Sequence, residues 1–548
     1  MSKHLSRREF VAAATAVAAV PAIPALSRAE RSIDAFVNLA RSPIDNDLLE
    51  VTIAKLHGFY NAKKYTVTEV THWYLDRIAK YNSVYRAILH VDSAGALATA
   101  TQQDAAAKAG GAAFKRGPLW GVPIVIKANT SVKGLVTSAG WAGYLIPGLE
   151  LVAPMDATVV AKLKAAGAVI LGQTNMPDFA ASDTNISTAF GRTGNAYNPR
   201  YSPGGSSGGT VTAVTANFCM LGTGTDTANS IRMPSGTSSV VGVLPTRGLV
   251  SIAGIHPLDW LLDNTGPIAR DVSDAAVALS VMAGEDPRDF RTKGSAAQAE
   301  SGPYSKYLNA DALKGKRFGV PSFIVGGNGG AEGIPLQPDT RELFVKAIDA
   351  LRATGATVVQ DDAILGDGFA ALARSPSTQP YDAEGVENFL RDYGPPAYHS
   401  TTEYAAAVGT PMPQYMRPGQ AARTIENDPA ANDNFWQPQK NAQAAYEETL
   451  TKFQLDGFVY PALQMPPNDE VALAVAGQRS QGPHSNTGWV NPIGVPAAVV
   501  PAGFYRSGLP FGIEFSARRW KDGDLLGWAY AYEQATKFRK PPLLKEKA

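Results

Sequence analysis

The stretch 221–235, LGTGTDTANSIRMPS, sets one serine, Ser230, between one acid, Asp226, and one base, Arg232, in a run of small and hydroxylated residues. Such a run is too polar for a core strand and too rich in Gly and Thr for a good helix, so it predicts a backbone held in special geometry. A serine hydroxyl is a poor nucleophile until a neighbouring group takes its proton. Asp226 and Arg232 read first as a structural ion pair. Just upstream, SPGGSSGG supplies Ser206 and Ser207 among glycines that accept backbone angles other residues resist. Gly205 to Gly209 also fits the G-x-S-x-G elbow of the α/β-hydrolases, with Ser207 as nucleophile. That elbow has to follow a buried strand, and the preceding AYNPRYSP, with Pro199 and Pro203, does not read as one. His484 in QGPHSNTG is the one histidine in a suitable loop for such a triad.

Other chemistries are harder to build from this chain. The single cysteine, Cys219, excludes an internal disulfide and a cysteine-based zinc site, and its apolar setting in ANFCML reads as a buried structural thiol. Seven scattered histidines without an H-E-x-x-H pair argue against a metal centre. Lys plus Arg number 50 against 49 Asp plus Glu, and a net charge of +1 leaves no electrostatic footprint for nucleic acid. At 548 residues, 45% of them hydrophobic, the composition is that of a soluble globular enzyme.

The elements that must hold these residues follow from periodicity. From about Asp47 to Asn82 the pattern is helical, and TVTEVTHWYLDRIAKYN opens on the capping box Thr66-x-x-Glu69. A second helix, SAGALATATQQDAAAKAGG, stops at Gly110 and Gly111. GVPIVIKA, 121–128, is a short β-branched run that predicts a buried strand with Lys127 at its C-terminal end. DATVVAKLKAAGAVILGQT predicts a crossover helix, a Gly167 cap and a strand from Ala168 to Leu171, hence a parallel pair whose ends gather a site. Thr210 to Asn217 reads as a short helix and Phe218 to Leu221 as a further strand. DGFVYPAL and GVPAAVVPAG read as later strands, and DLLGWAYAYEQATKF as a last helix. Between about 375 and 440, a Pro-rich stretch carries Tyr381, Tyr393, Tyr398, Tyr404, Tyr415 and Trp436 in irregular surroundings. It is expected to be a lid or pocket wall, with a plain surface insertion as the alternative.

GPLWGVPIVIKAN, DATVVAKLKAAGAVILGQTNMPDFA, GRTGNAYNP, SPGGSSGG, GTDTANSIRMPS and GVLPTRGLVS occur in this order, and together they resemble the amidase signature family. The likeness covers most of residues 48–540 and is weakest through the aromatic stretch. It implies a single large α/β domain, about 30–548, with a mixed central sheet flanked by helices. It also implies a Ser-Ser-Lys triad: Ser230 as nucleophile, Ser206 as the bridging serine often held in a cis peptide, and Lys127 as base. The backbone amides of Thr227, Ala228, Asn229 and Ser230 would form the oxyanion hole.

The residue types make sense in those roles. Lysine accepts a proton only when neutral, so its pKa has to fall from about 10.4 to near 7 or 8, at a cost of roughly 4 kcal/mol. Burial at the end of an apolar strand supplies that fall. This chain departs from the family at the turn, where Ala228-Asn229 stands in place of Gly-Gly. The Asn229 side chain could donate to the oxyanion, contact substrate, or merely tolerate a left-handed angle. Trp141 and Tyr144, after the Lys127 strand, hint with the 375–440 aromatics at a hydrophobic or aryl acyl group.

The expected activity is hydrolysis of a small-molecule carboxylic amide through an acyl-enzyme, with no metal or cofactor. An ester or carbamate hydrolase, a glutamine-dependent amidotransferase A subunit, and a non-catalytic binding protein are the alternatives. The N-terminus adds an expectation of its own. Ser6-Arg7-Arg8-Glu9-Phe10 before an Ala-rich apolar run resembles a bacterial twin-arginine export signal over residues 1–29, with cleavage near Ser27 or Ala29 and a periplasmic product. Broken by Pro21 and Pro24, that run is too short for stable membrane insertion. The oligomeric state stays open, a homodimer included.

Overall fold

In sequence order the strands are β1 (Ile88–Val91), β2 (Pro123–Lys127), β3 (Val169–Thr174), β4 (Ile186–Ser187), β5 (Gly191–Arg192), β6 (Leu221–Asp226), β7 (Val241–Leu244), β8 (Asn264–Ala269), β9 (Arg317–Val320), β10 (Thr357–Gln360), β11 (Gly457–Pro461), β12 (Ala497–Phe504) and β13 (Pro510–Ala517). They come from a computed structural model that describes residues 42–326, 334–413 and 423–547. The export-type segment 1–29 and Tyr415 lie outside the described residues. Residues 48–548, where described, form one compact unit.

Eleven strands form one sheet in the order β1-β3-β2-β6-β8-β7-β12-β13-β11-β9-β10, and β4 pairs only with β5. β2 runs parallel to both β3 and β6, whereas β8, β7, β12 and β13 continue the sheet by antiparallel pairing. The sheet is therefore mixed, as expected from the resemblance. The parallel β2–β3 pair, joined through the helix Thr158–Ala165, is the unit predicted from sequence, with the second strand running to Thr174 rather than stopping at Leu171. Every residue of β2, β3 and β6 is buried, which the continuous apolar run of β2 foretold.

β6 corrects the sequence expectation. Strand geometry begins at Leu221 and runs through the very stretch judged too polar for a core strand; residues 218–220 form no strand. The reason lies in how each face is filled. Thr223 Oγ1 accepts the Lys127 amide N–H at 3.1 Å, and Thr225 Oγ1 accepts from Lys127 Nζ at 2.8 Å, so both hydroxyls have partners. A Cβ on Gly222 would stand 2.7 Å from both Thr210 Cγ2 and Val125 Cγ2. Glycine here lets the helix Gly208–Thr215, to which Thr210 belongs, and the neighbouring strand close directly onto the β6 backbone.

The N-terminal helical pattern is real but broken into Pro43–Leu48, Ile53–Asn61 and Val67–Tyr85. The last of these opens on the expected capping box: the Glu69 N–H donates to Thr66 Oγ1 at 3.1 Å and the Thr66 N–H donates to Glu69 Oε2 at 2.8 Å. The described residues of the 375–440 stretch are largely helical. It holds the helices Asp382–Tyr393 and Thr401–Val408, and a π-turn, Asn432–Trp436, that runs into the helix Gln437–Lys452. Val386, Phe389, Leu390 and Tyr393 recur at helical spacing and are buried together with Tyr144, Phe179, Tyr398 and Tyr404. Among the described residues no helix is long and apolar enough to cross a membrane.

Close packing at β6 predicts a measurable penalty. Gly222→Ala should cost about 1–3 kcal/mol of stability, because the added methyl meets carbon on two sides. Denaturant unfolding of the full chain checks this, and an unchanged midpoint would contradict the packing.

Candidate active site

β2 ends by pushing Lys127 into a space from which water is excluded. Its side chain is fully buried, and Nζ lies 2.6 Å from Ser206 Oγ, 2.8 Å from Thr225 Oγ1 and 3.1 Å from Ser207 Oγ. All of these partners are hydroxyls, and among the described residues no carboxylate lies within salt-bridge distance. Burial accordingly lowers the Lys127 pKa to about 7, against the more distant pull of Asp226 and Asp263. Asn129, two residues on, also donates to Thr225 Oγ1 at 3.1 Å and fixes that hydroxyl.

Ser206 follows a cis peptide bond from Gly205 and is fully buried. Ser207 N donates to Ser230 O at 3.2 Å, which joins the glycine-rich loop to the β6 turn. Ser230 is 6% exposed, whereas Lys127 and Ser206 are 0%. Ser230 Oγ has no hydrogen-bond partner among the described residues, and such contacts often tighten only when substrate is bound. None of the backbone N–H groups of Thr227, Ala228, Asn229 and Ser230 donates to another described residue.

A buried ion network clamps this turn. Asp226 Oδ2 accepts from Ile231 N at 2.9 Å and from Arg232 Nε at 3.1 Å, while Arg232 Nη1 reaches Glu514 Oε1 at 2.7 Å. Arg232 also donates to the carbonyl oxygens of Thr487 and Ala228. Asn491 Nδ2 holds Asp226 from the other side, at 2.7 Å to its carbonyl and 3.0 Å to Oδ1.

A family model described as Amidase matches residues 69–526. The chain belongs to the amidase family. It is 32% identical over 504 residues to the glutamyl-tRNA(Gln) amidotransferase A subunit of Thermosynechococcus vestitus, covering 88% of this chain and 98% of that one. To the protein of the same name from Acinetobacter baumannii (strain ATCC 17978) it is 30% identical over 518 residues, 89% of this chain and 97% of that one. Among solved structures, the native peptide amidase from Stenotrophomonas maltophilia superposes with a TM-score of 0.74 at 29% identity, over 90% of this chain and 99% of that one.

Around the serine this amidase-family site carries its own features. Asn229 has no left-handed backbone, so the turn does not require it for that reason. Its Nδ2 donates to Ser485 Oγ at 2.8 Å, while its buried Oδ1 is unpartnered. Ser207 Oγ contacts Lys127 Nζ and donates to Thr225 O at 3.2 Å; with no histidine on it and no strand before it, the elbow reading has no support. Tyr144 is fully buried, its hydroxyl 2.9 Å from His256 Nε2, and Trp141 is half-buried against Tyr144, Phe179 and Tyr404. Both sit in the aromatic core, and His256 N donates to Asn129 O, so Tyr144 reaches Lys127 only through other residues. The helix Asp382–Tyr393 lines a groove of about 1000 Å³ with Trp260, Arg288 and Trp436, and none of Lys127, Ser206 or Ser230 lines it.

Sequence reasoning missed Thr225, Asn129, Asp263, Asn491 and Glu514. Asn129 lies inside a quoted motif, but nothing in a single sequence ties Glu514 to Arg232. Asp263 accepts from Thr227 Oγ1 and from Leu258 N, and burial beside Asp259 pushes its carboxyl up to about 7. Among the described residues no group of three or more His, Cys, Asp or Glu side chains could hold a metal ion.

The low pKa of Lys127 has a thermodynamic signature. An unfolded lysine titrates near 10.4, so between about pH 7 and 10 the unfolded chain binds the extra proton, and burial of Lys127 penalises the fold most at and below pH 7. The stability of the parent relative to Lys127→Met should therefore rise by about 1.4 kcal/mol per pH unit between pH 7 and 9. Urea unfolding at several pH values measures it, and a flat difference would mean that Lys127 titrates normally.

Proposed function

We propose that this chain cleaves a carboxylic amide through an acyl-enzyme on Ser230. The observation that carries the reading is Lys127, desolvated and 2.6 Å from Ser206 Oγ with no carboxylate partner. Ser206 takes the Ser230 proton as it gives its own to neutral Lys127, and Ser230 Oγ attacks the amide carbon. The negative oxygen that forms is held by the free amides of the 227–230 turn. The proton returns through Ser206 to the leaving nitrogen, which departs as amine or ammonia, and water then releases the acid by the same route in reverse.

Two acceptors for that acyl chemistry have support. Hydrolysis of linear amides, with peptide or aryl amides as substrates, is favoured by the likeness to the peptide amidase and by the export-type residues Arg7 and Arg8. Delivery of ammonia from glutamine, as the A subunit of an amidotransferase, is favoured by the curated relatives, whose identity is higher and extends over nearly their whole length. That support is the stronger of the two on sequence; the export-type signal, and the periplasmic location it implies, argue for the hydrolase.

Ammonia release from C-terminal peptide amides, a chromogenic anilide and glutamine, assayed with the purified chain, separates the two. Turnover of the amides and anilide marks the hydrolase, and turnover of glutamine alone marks the amidotransferase. In either case Ser230→Ala should lower kcat by about a thousandfold or more with the fold intact, and a fluorophosphonate should label Ser230. Labelling of Ser207 would sink the triad. Because the base works only when neutral, kcat/KM should climb with pH and level off above about 7.

A further inference from the structure

Behind the nucleophile turn, reached from it through Asn491, lies a second cavity, of about 150 Å³, lined by Arg247, Arg291 and Arg519 together with Trp436, Gln439 and Gln443. No acidic residue lines it. Arg291 is paired with Asp289 at 2.8 Å, but among the described residues neither Arg247 nor Arg519 forms a salt bridge. Arg247 is only 8% exposed and spends one nitrogen, Nη2, on Asn491, leaving Nε and Nη1 buried without a partner. The Nε of Arg519 is buried and unpartnered in the same way.

Buried guanidinium N–H groups without acceptors are costly, and proteins rarely leave them so. Asp259 and Asp263 act on Arg247 only from a distance, and Asp522, nearest in charge to Arg519, is already taken by Thr246 N and Oγ1. Burial, with the like charges of Arg291 and Arg519 beside it, lowers the Arg247 pKa to about 9. An anion from solution would supply acceptors for these donors. The half-buried Trp436, Gln439 and Gln443 form the rim through which it would enter. The amide nitrogens of Gln439 and Gln443 are committed to Pro492 O and Ile493 O, so recognition falls to the arginines.

We propose that this cavity binds a small oxyanion, a carboxylate or a phosphate, held by Arg247 and Arg519. A guanidinium fork matches two oxygens of either group. At about 30 Å³ per water molecule, the space holds roughly five, the size of one phosphate or short carboxylate. The site is separate from the acyl-enzyme chemistry and does not rest on it. It does touch the turn indirectly, since Asn491 accepts from Arg247 and donates to Asp226.

Thermal unfolding of the full chain with inorganic phosphate and, separately, with acetate tests the assignment, each against sodium chloride at equal ionic strength. Binding to the native state raises Tm as the ligand saturates. The expected result is a saturable rise of a few degrees with at least one oxyanion beyond the chloride control; the arm that responds identifies the ligand class. Arg519→Met, which leaves the Arg247–Asn491 contact in place, should abolish the rise. If that variant does not fold, Arg519→Lys should weaken binding at least tenfold by calorimetry. A rise matched by chloride, no rise in either oxyanion, or a rise unchanged in the Arg519 variants would overturn the proposal.

Discussion

The arrangement of this protein turns on keeping one lysine amine out of water without giving it an anion. A carboxylate in contact with Lys127 Nζ would satisfy the amine and hold it charged; a ring of hydroxyls satisfies it and leaves it free to be neutral. That requirement explains why β6 alternates Gly and Thr instead of carrying the branched apolar residues of β2. The threonine hydroxyls meet the lysine, and the glycines let neighbouring elements close the space that would otherwise admit water. A stretch that is polar by composition is therefore dry by construction.

Charge is nevertheless needed nearby, and it is held one step away. Asp226 leaves the same strand as Thr225 but is drawn to Arg232, Ile231 N and Asn491 rather than to Lys127. Glu514 on β13 completes the pairing of Arg232, and Tyr460 on β11 donates to it at 2.8 Å. A buried pair of this kind adds little net stability, yet losing one partner strands the others. Its value lies in geometry. By fixing Asp226, Ile231 N and the Ala228 carbonyl, it holds the turn in the shape that leaves the amides of 227–230 unpaired.

How much of this is legible in the sequence depends on whether the signal is local. The buried β2 strand, the Thr66–Glu69 cap and the parallel β2–β3 unit follow from short-range pattern, and the structure holds all three. β6 is misread because propensity weighs each residue against an average environment, whereas here the partners of Thr223 and Thr225 are on a strand about a hundred residues earlier. The 375–440 stretch misleads in a different way: its prolines hide a helix whose buried face, Val386, Phe389, Leu390 and Tyr393, is regular once the period is read. Glu514 and Asn491 are beyond reach, since they meet the turn only through the tertiary fold.

Asn229 is held in its turn by its side chain and not by a special backbone angle. Had the turn needed a left-handed angle, an asparagine would be a tolerated glycine substitute and carry no further meaning; its ordinary backbone removes that reading. Its side chain instead ties the 227–230 turn to Ser485, next to Thr487, whose carbonyl Arg232 also holds. A turn fastened from two directions has less freedom to move than one held from a single side. The Oδ1 of Asn229, buried beside Ser230, has no hydrogen-bond partner among the described residues. Asn229 is thus a structural tie of the turn, set by side-chain bonding and not by backbone angle.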